Sequence, residues 1–290
     1  MKGDSTKKIQ LHDGRHLAYI ERGNPDGVPV LFFHGTPGSR HFRHPDGSIA
    51  TRKDVRVIHP DRPAIGLSDP KPGRTLLDWA EDTGELLDAL QIDKCTIAGI
   101  SGGGPYALAC AWAMPDRVSR IAVISGMAPL EMPGATEGMS TVNRTGLWIA
   151  RHASWLLPLA ISPMAQGARK EPRKVLDKAA TSYSAPDKKL MERPEIRGMY
   201  AEDIAESYRQ GARGHARDLR AVAKPWGFNL GEIRIPVTLW QGELDRNITT
   251  AMAMHMKEKI PDAKLNLIKD QGHLLLFEYW EDILSELIDG

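Results

Sequence analysis

Compact apolar runs alternate with helical patterns along most of the chain, and this alternation indicates the fold. The apolar runs cover residues 28–33, 55–58, 94–99, 118–125, 237–241 and 264–268. Runs without polar alternation are typical of parallel strands that are buried on both faces. Helical patterns lie between the runs, at residues 75–90, 105–114, 249–260 and 274–288. The sequence therefore predicts an α/β fold with a mostly parallel central sheet and helices on both of its faces.

Two shorter segments near the start of the chain predict an antiparallel pair. Residues 8–12 and 16–21 flank Asp13-Gly14, a dipeptide that favours a tight hairpin turn. We therefore expect these two strands to pair with each other before the parallel pattern begins.

The alternation of strands and helices stops between about residue 127 and residue 228. That stretch is rich in Pro, Met, Trp and Arg, and the regular pattern resumes at Ile235. Because the sheet is complete only when both flanks are counted, we interpret residues 127–228 as a helical cap inserted into one domain. The core of that domain would consist of residues 1–126 and 229–290. Helix-compatible pieces within the cap lie at residues 147–159, 173–181 and 202–209.

The charge balance and the cysteine content limit the classes of partner. Among 290 residues, 38 lysines and arginines face 37 aspartates and glutamates, for a net charge of +1. No run of like charge suggests a nucleic-acid surface, so we expect a small-molecule substrate and no nucleic acid. The two cysteines have neither the number for a disulfide framework nor the spacing of a metal site. We accordingly expect a cytoplasmic protein without a bound metal or cofactor.

No segment has the pattern of an export signal or a membrane span. The first fourteen residues are charged and lack the apolar centre of a signal peptide. The most apolar later stretch, residues 146–164, contains Arg151, His152 and Pro158, whereas a membrane span needs about 20 predominantly apolar residues. The expectation is a soluble protein, and the sequence leaves its oligomeric state open.

A glycine-rich segment, CTIAGISGGGPYALACA at residues 95–111, carries the strongest chemical signal. Residues 102–107 fit the dinucleotide pattern G-x-G-x-x-A between a strand and a helix. A dinucleotide site also needs an acidic residue at the end of the next strand, and that strand ends in Ser125-Gly126. No lysine of the P-loop type follows the glycines either. The sequence therefore disfavours a phosphate site here.

The same segment fits the pattern G-x-S-x-G, with Ser101 at its centre. An apolar strand ends just before the serine and a helix begins just after it, so a sharp bend would hold the hydroxyl clear of the backbone. Gly99 and Gly103 have no side chain to collide across such a bend. The N–H group of Gly102 would lie at a helix N-terminus, where it can donate to an oxyanion. The alternative is that Ser101 caps the helix and the glycines only ease packing.

A nucleophilic serine needs a base, and the base needs a carboxylate to fix its tautomer. In one known chain order the serine is followed by an acid after a late strand and by a histidine before the last helix. Asp245 follows the apolar run VTLWQ, and His273 follows KLNLI and precedes the final helical pattern. Glu243 is an alternative acid, while Asp270 is more typical of a turn residue. We therefore predict Ser101, Asp245 and His273 as a catalytic triad.

The loop after the apolar run at residues 28–33 predicts the second oxyanion donor. It reads HGTPGSR from His34, and a backbone N–H from the loop after the third strand supplies this donor in such sites. We predict the N–H of Thr36 as that donor, with Gly35 allowing close approach and His34 supporting the loop. His41 and His44 have a spacing that fits a metal, but no third ligand is evident, so we interpret them as a solvated face.

Several motifs together resemble the α/β-hydrolase superfamily. The segments that carry the resemblance are residues 34–39 (HGTPGS), 61–69 (DRPAIGLSD), 99–105 (GISGGGP), 225–230 (PWGFNL), 236–245, and Gly272-His273. The chain is most similar to capped members of the proline-iminopeptidase-like and esterase-like types, from about residue 8 to residue 288. The resemblance implies Ser101 as nucleophile, Asp245 as acid and His273 as base. It also implies the N–H groups of Gly102 and Thr36 as the oxyanion hole.

Two residues depart from the pattern of these relatives. Ala64 stands in DRPAIG where relatives often have glycine, and a positive φ there would cost about 1 kcal/mol. Gly102 stands where proline iminopeptidases usually carry a tryptophan, which argues against a peptidase.

These observations predict a serine hydrolase that forms an acyl-enzyme, with small or medium carboxylic esters as its substrates. The alternatives are a proline-iminopeptidase-like aminopeptidase acting on an amide bond, a hydrolase of carbon–carbon bonds, and a non-catalytic ligand-binding or signalling protein. Apolar residues of the cap are candidates for a substrate pocket, although residues at helical spacing also pack onto a sheet. The pocket candidates are Trp148, Trp155, Met164 and Met199.

Overall fold

Eight strands form one sheet in the computed structural model, which describes residues 5–289. In chain order the strands are β1 (Lys7–Gln10), β2 (His16–Gly23), β3 (Val28–Phe33), β4 (Val55–Pro60), β5 (Cys95–Ile100), β6 (Val118–Ile124), β7 (Val237–Gly242) and β8 (Ala263–Ile268). Across the sheet their order is β1-β2-β4-β3-β5-β6-β7-β8. The pairs β1/β2 and β2/β4 are antiparallel, and the remaining neighbours are parallel. The expectation for the first fourteen residues includes residues 1–4, which lie outside the described residues.

The helices lie between the strands and after the last of them. Within residues 5–289 they are α1 (Ser48–Arg52), α2 (Leu76–Ala89), α3 (Gly104–Ala113), α4 (Thr141–His152), α5 (Leu157–Lys170), α6 (Pro172–Ala180), α7 (Ala185–Met191), α8 (Pro194–Ser207), α9 (Ala212–Ala223), α10 (Thr250–Lys259) and α11 (Leu276–Asp289). Helix α2 begins with a capping box, because Thr75 and Asp78 each accept from the other's backbone N–H.

Helices cover both faces of the sheet, as two neighbouring residues of β3 show. Successive side chains of a strand point to opposite faces. Phe33 meets Trp79 of α2 edge to face, at 5.4 Å between ring centroids. Phe32 meets Trp280 of α11 at 5.4 Å in the same manner. The predicted fold class, a mostly parallel sheet between two helical layers, is therefore confirmed.

The parallel register aligns the carboxyl ends of the central strands. Phe33 at the end of β3 pairs with Gly99 of β5, and Ile100 at the end of β5 pairs with Ile124 at the end of β6. Ile124 in turn pairs with Trp240 of β7. Loops that follow these strands consequently meet at one edge of the sheet, which is where α/β proteins place their sites.

Helices α4 to α9 fall between β6 and β7, in the stretch predicted as a cap. We call residues 127–228 the helical segment. Helix α9 packs against α4 and α5, α6 packs against α5 and α8, and α7 packs against α8. The buried apolar residues of these helices belong to the same hydrophobic cluster as those of the sheet layers, and the division of the chain into core and cap remains a prediction. Among residues 5–289, no helix has the length and apolar character that crossing a membrane requires.

The predicted strands and the four helices predicted outside the helical segment agree with the structure to within about two residues. The short helix α1 is not predicted, and the helical segment differs from the prediction. One helix was expected over residues 147–159, whereas α4 ends at His152 and α5 begins at Leu157. Pro158 lies in the first turn of α5, where proline is favoured because its missing N–H group would have no partner within the helix, so it marks the start of a new helix. Helix α8 begins eight residues earlier than expected, and α7 and α9 were not predicted.

Ala64 adopts the strained backbone that the missing glycine suggested. Its φ is +66°, in the left-handed region that disfavours residues with a Cβ atom by roughly 1–2 kcal/mol. A Cβ atom on Gly214 of α9 would lie 2.2 Å from the Ala64 carbonyl oxygen. The turn at Ala64 therefore packs directly against the helical segment.

Candidate active site

Ser101 lies on a tight bend between β5 and α3. Its φ is +54°, a strained value for a residue other than glycine. A Cβ atom on Gly99 would lie 2.6 Å from the carbonyl oxygen of Gly103, and one on Gly103 would lie 2.3 Å from that of Phe33. Only glycine fits at both positions, which explains the glycine pattern around the serine. Ser101 is partly exposed between two buried neighbours.

Asp245 and His273 form a close pair. The Oδ2 atom of Asp245 lies 2.8 Å from Nδ1 of His273. The other carboxylate oxygen accepts the N–H groups of Asn247 (2.8 Å) and Ile248 (3.0 Å). One oxygen thus fixes the loop of Asp245 and the other orients the imidazole. Because a carboxylate only accepts, the proton of the pair resides on Nδ1, which leaves Nε2 free to act as an acceptor.

The electrostatic surroundings of His273 favour its protonated form. Burial of the imidazole lowers its pKa, but the adjacent Asp245 carboxylate and the more distant Asp187 carboxylate act in the opposite direction. The net result is a pKa of His273 above the usual value of 6.5. A base with such a pKa accepts a proton readily at neutral pH.

The three predicted triad residues follow the carboxyl ends of β5, β7 and β8. The hydroxyl of Ser125, which follows β6, donates to the His273 carbonyl oxygen at 3.2 Å. The loop of His273 therefore reaches the residue that follows β6, the strand next to β5 in the sheet. Within residues 5–289 the Ser101 hydroxyl makes no hydrogen bond.

The loop after β3 lies against the bend at Ser101, as expected for an oxyanion hole. A Cβ atom on Gly102 would lie 2.5 Å from Oγ1 and 3.3 Å from N of Thr36. A Cβ atom on Gly35 would lie 3.5 Å from Cβ of Ser101. The structure thus brings Thr36, Gly35 and Gly102 together around Ser101.

His34 is buried beneath this loop. Its Nδ1 atom lies 2.9 Å from the carbonyl oxygen of Gly35, and its Nε2 atom lies 3.4 Å from the Arg62 N–H group. Burial and the nearby Arg62 guanidinium hold the pKa of His34 well below its usual value. A neutral ring that donates from Nδ1 and accepts at Nε2 satisfies both contacts.

The buried Arg62 side chain holds the same loop through hydrogen bonds, a role that the sequence does not reveal. Its side chain is 0% exposed. It donates to the carbonyl oxygens of His34 (2.6 Å) and Gly35 (2.8 Å). It also donates to the hydroxyl of Thr36 at 3.1 Å and to the carboxylate of Asp218 at 2.7 Å. The motif DRPAIG contains Arg62, but nothing in its residue pattern shows that this side chain contacts the loop of Thr36.

Asp218 of α9 is the buried counter-ion of this cluster. It accepts hydrogen bonds from Arg62 and Arg74, from the Tyr106 hydroxyl at 3.2 Å, and from the Thr36 hydroxyl at 3.2 Å. Burial alone would raise the pKa of Asp218, but the two guanidinium groups hold it far below its usual range. The helical segment is therefore joined to the loop of Thr36 through a fully buried charge.

Two more buried aspartates of the helical segment hold loops at this edge of the sheet. Asp203 of α8 accepts the N–H group (2.7 Å) and the hydroxyl (2.8 Å) of Ser39. Asp187 of α7 accepts backbone N–H groups of the loop that carries His273. Nothing in the sequence distinguishes these aspartates from solvated helix residues, so their partners could not be predicted.

The predicted pocket residues are dispersed over the helical segment. Trp148 is 60% exposed and stacks on His152, and Trp155 is 75% exposed. Met164 is also exposed, whereas Met199 is buried. Their assignment to a substrate pocket stays a prediction.

His41 and His44 are half-buried and not fully solvated as interpreted from the sequence. His44 has local partners, because Nε2 lies 3.1 Å from the Phe277 carbonyl oxygen and Nδ1 accepts from the Asp46 N–H group at 3.1 Å. Burial lowers the pKa of His41 to about 4. Over the described part of the chain, no three His, Cys, Asp or Glu side chains are grouped so as to hold a metal ion.

Comparisons with known proteins agree with this architecture. The sequence pattern of the alpha/beta hydrolase family matches residues 30–286. The chain is 27% identical over 267 residues to an uncharacterized hydrolase of Bacillus subtilis (strain 168), with 91% of this chain and 90% of the relative covered. It is 26% identical over 317 residues to a proline iminopeptidase of Neisseria gonorrhoeae, with 97% and 96% covered. The solved structure of a hydrolase from Pseudomonas aeruginosa PA01 has the same fold, with a TM-score of 0.74, 21% identity and 100% of both chains covered.

Proposed function

The chain belongs to the alpha/beta hydrolase family, and we propose that it is a serine hydrolase with Ser101 as nucleophile, His273 as base and Asp245 as acid. The observation that carries the proposal is the 2.8 Å contact between Asp245 and His273, at the sheet edge where Ser101 occupies a strained bend. Strain of this kind persists where the surrounding structure enforces it, and it clusters at active sites.

The reaction proceeds in two acyl-transfer steps. His273 Nε2 removes the hydroxyl proton of Ser101 as Oγ forms a bond to the substrate carbonyl carbon. The bond to the leaving alcohol then breaks, and His273 returns the proton to the alcohol oxygen. In the second step His273 takes a proton from water as the water oxygen forms a bond to the acyl carbon. The bond from that carbon to Ser101 Oγ then breaks, and His273 returns the proton to Oγ, which releases the acid and restores the free serine. Asp245 stabilises the imidazolium in both steps.

The N–H groups of Gly102 and Thr36 are proposed to bind the oxyanion that forms on the carbonyl oxygen. Support comes from the 3.3 Å between the Cβ position of Gly102 and the Thr36 nitrogen, which places the two residues side by side. Arg62 fixes the carbonyl oxygens of the preceding loop residues, so the loop needs little reorganisation during the reaction. Donors fixed in this way contribute about 3–4 kcal/mol each to catalysis.

The preferred substrates are proposed to be small or medium carboxylic esters, with residues 127–228 as a cap over the site. The relative from Neisseria gonorrhoeae is a proline iminopeptidase, but Gly102 argues against that activity here. A Cβ atom at this position would already lie 2.5 Å from Thr36 Oγ1, so the tryptophan typical of that enzyme class does not fit. Free, buried Cys95 and Cys110 are consistent with the proposed cytoplasmic location.

Labelling with a fluorophosphonate tests the nucleophile, and a substrate panel tests the reaction. We expect the label on Ser101, and we expect Ser101→Ala to lower kcat for p-nitrophenyl esters about a millionfold. The control is Ser182→Ala, which removes an exposed hydroxyl. A loss below tenfold in Ser101→Ala refutes the triad.

The panel also separates the ester hydrolase from its alternatives. It compares short-chain p-nitrophenyl esters with proline-naphthylamide and a carbon–carbon substrate. Faster turnover of the amide or the carbon–carbon bond refutes the ester preference. Labelling of Ser101 without turnover of any member of the panel indicates a ligand-binding protein.

A further inference from the structure

The loop that carries His273 is held by a buried carboxylate from α7. Asp187 is 2% exposed. Its Oδ2 atom accepts the backbone N–H of His273 at 3.0 Å, and its Oδ1 atom accepts that of Leu274 at 2.8 Å. Hydrogen bonds to a charged acceptor are stronger than neutral ones and fix geometry more tightly. Both oxygens of one carboxylate thus bind two successive residues of this loop.

The Asp187 carboxylate is itself oriented by its neighbours. The Ser184 hydroxyl donates to Oδ2 at 2.6 Å. On the other side, a Cβ atom on Gly272 would lie 2.3 Å from Oδ2 of Asp187 and 2.2 Å from Oγ of Ser184. The absence of a side chain at Gly272 is what allows α7 to approach the loop so closely. The contact is therefore built by three residues from two distant parts of the chain.

His273 is fixed by two different carboxylates in two different ways. Asp245 binds the imidazole at Nδ1, and Asp187 binds the main chain of the same residue. A side-chain contact alone allows the backbone to shift, and a backbone contact alone allows the ring to rotate. Together they determine where Nε2 points.

We propose that Asp187 is a positioning residue for the base, so that α7 contributes to the geometry of the proposed triad through this one contact. This inference rests on the proposed role of His273. Asp187 acts by holding the main chain of His273 and Leu274, and it takes no part in bond making or breaking.

The negative charge of Asp187 adds a second effect that can be measured. The charged groups acting on the His273 ring are Asp245, from the loop after β7, and Asp187, from α7, and both raise the pKa of His273. Replacing Asp187 by asparagine removes one of these charges. The His273 ring should then titrate at a lower pH, and the acid limb of the kcat/KM profile should move in the same direction.

The experiment compares Asp187→Asn with Glu192→Gln, which removes an exposed carboxylate just after the end of the same helix. The ring titration is followed by NMR, with the His273 resonance identified by its loss in His273→Gln. In Asp187→Asn we expect the titration midpoint of the His273 ring at lower pH than in the wild type. We also expect kcat to fall about tenfold to a hundredfold, with a smaller change in KM. In Glu192→Gln we expect wild-type values for all three.

A second variant separates geometry from charge and covers the case in which Asp187→Asn does not fold. Ser184→Ala keeps the Asp187 charge but removes its orienting hydroxyl, so we expect a severalfold loss of kcat with an unchanged titration midpoint. Wild-type kcat in Ser184→Ala overturns the proposal. An Asp187→Asn protein that loses kcat while His273 titrates normally shows a general structural role and also overturns it.

Failure of the proposed function has a different signature. In that case the wild-type protein neither reacts with a fluorophosphonate nor turns over any acyl donor. The NMR titration requires no turnover, and an unshifted midpoint in Asp187→Asn then independently contradicts the effect of Asp187 on His273.

Discussion

Replacing Asp218 by asparagine should destabilise the protein and impair catalysis together. Asp218 is the buried counter-ion of Arg62 and Arg74. Asparagine keeps one acceptor oxygen, but it removes the charge and directs an NH₂ group toward the guanidinium donors. Two arginines would then share the interior without a carboxylate.

The size of the effect follows from the burial of these groups. The side chains of Arg62 and Asp218 are 0% and 1% exposed, so solvent does little to compensate for the lost charge. Removing one partner of a buried ion pair costs about 3–5 kcal/mol. Since the free energy of unfolding of a folded domain is about 5–15 kcal/mol, the variant should still fold at 25 °C, but with a much lower Tm.

The catalytic loss arises through the loop of Thr36. Arg62 donates to two carbonyl oxygens and to the Thr36 hydroxyl of that loop, and Asp218 holds the Arg62 guanidinium in place. A displaced oxyanion donor costs up to about a hundredfold in kcat. We therefore expect kcat to fall at least tenfold in Asp218→Asn, measured with a p-nitrophenyl ester under conditions where the protein is folded.

The assay pairs urea unfolding, followed by circular dichroism, with the kinetics. The control is Asp177→Asn, which breaks the exposed ion pair with Arg197 and should cost at most about 1 kcal/mol. If the free energy of unfolding of Asp218→Asn is less than about 1 kcal/mol below the wild-type value, the stabilising role of the buried cluster is refuted. Unchanged kcat in a destabilised variant would refute the link to the oxyanion loop.

Two further substitutions test the neighbourhood of the site. Burial raises the pKa of Asp203 to about 7, because the folded state favours the neutral carboxyl. The stability that the neutral carboxyl contributes is therefore fully present below about pH 4 and is lost as the pH rises toward 7. Asp203→Asn keeps the oxygen that accepts from Ser39 but carries no charge. We therefore expect the urea midpoint of this variant at pH 8 to equal or exceed the wild-type value. A clearly lower urea midpoint would contradict the inference that burying the charged Asp203 carboxylate is unfavourable. Gly102→Ala introduces a Cβ atom 2.5 Å from Thr36 Oγ1 and should lower ester kcat about a hundredfold. Gly146→Ala, with no atom within 4 Å, is its control, and equal kcat in both variants would place the oxyanion hole elsewhere.

The sheet and the surroundings of Ser101 were predictable because both leave local patterns. Uninterrupted apolar runs identify the buried strands, since β3 and β5 bury their residues on both faces. The glycines at positions 99 and 103 are required by backbone contacts within a few residues of Ser101 or on the adjacent strand. Asp245 and His273 are predicted as candidates because each follows a strand, and the carboxyl ends of parallel strands meet at one edge of the sheet.

The contacts of the helical segment were not predictable, because each joins residues far apart in sequence. Asp187, Asp203 and Asp218 lie in helices with charged neighbours, and their burial depends on how those helices pack. Pro158 is a local signal that explains the break between α4 and α5, but the apolar residues on both sides of it suggested one helix. Tertiary packing therefore determines which aspartates are buried and where these helices end, and helix propensity alone does not predict either.

The three buried aspartates also decide how this protein can be given a new substrate range. Transplanting a whole helical segment from a relative would remove the acceptors of Arg62, Ser39 and the His273 backbone, so the loops that carry Thr36, Ser39 and His273 would lose these contacts. Helices α4 and α5 carry none of these aspartates. Substitutions confined to those two helices would therefore test the proposed cap while leaving all three aspartates in place.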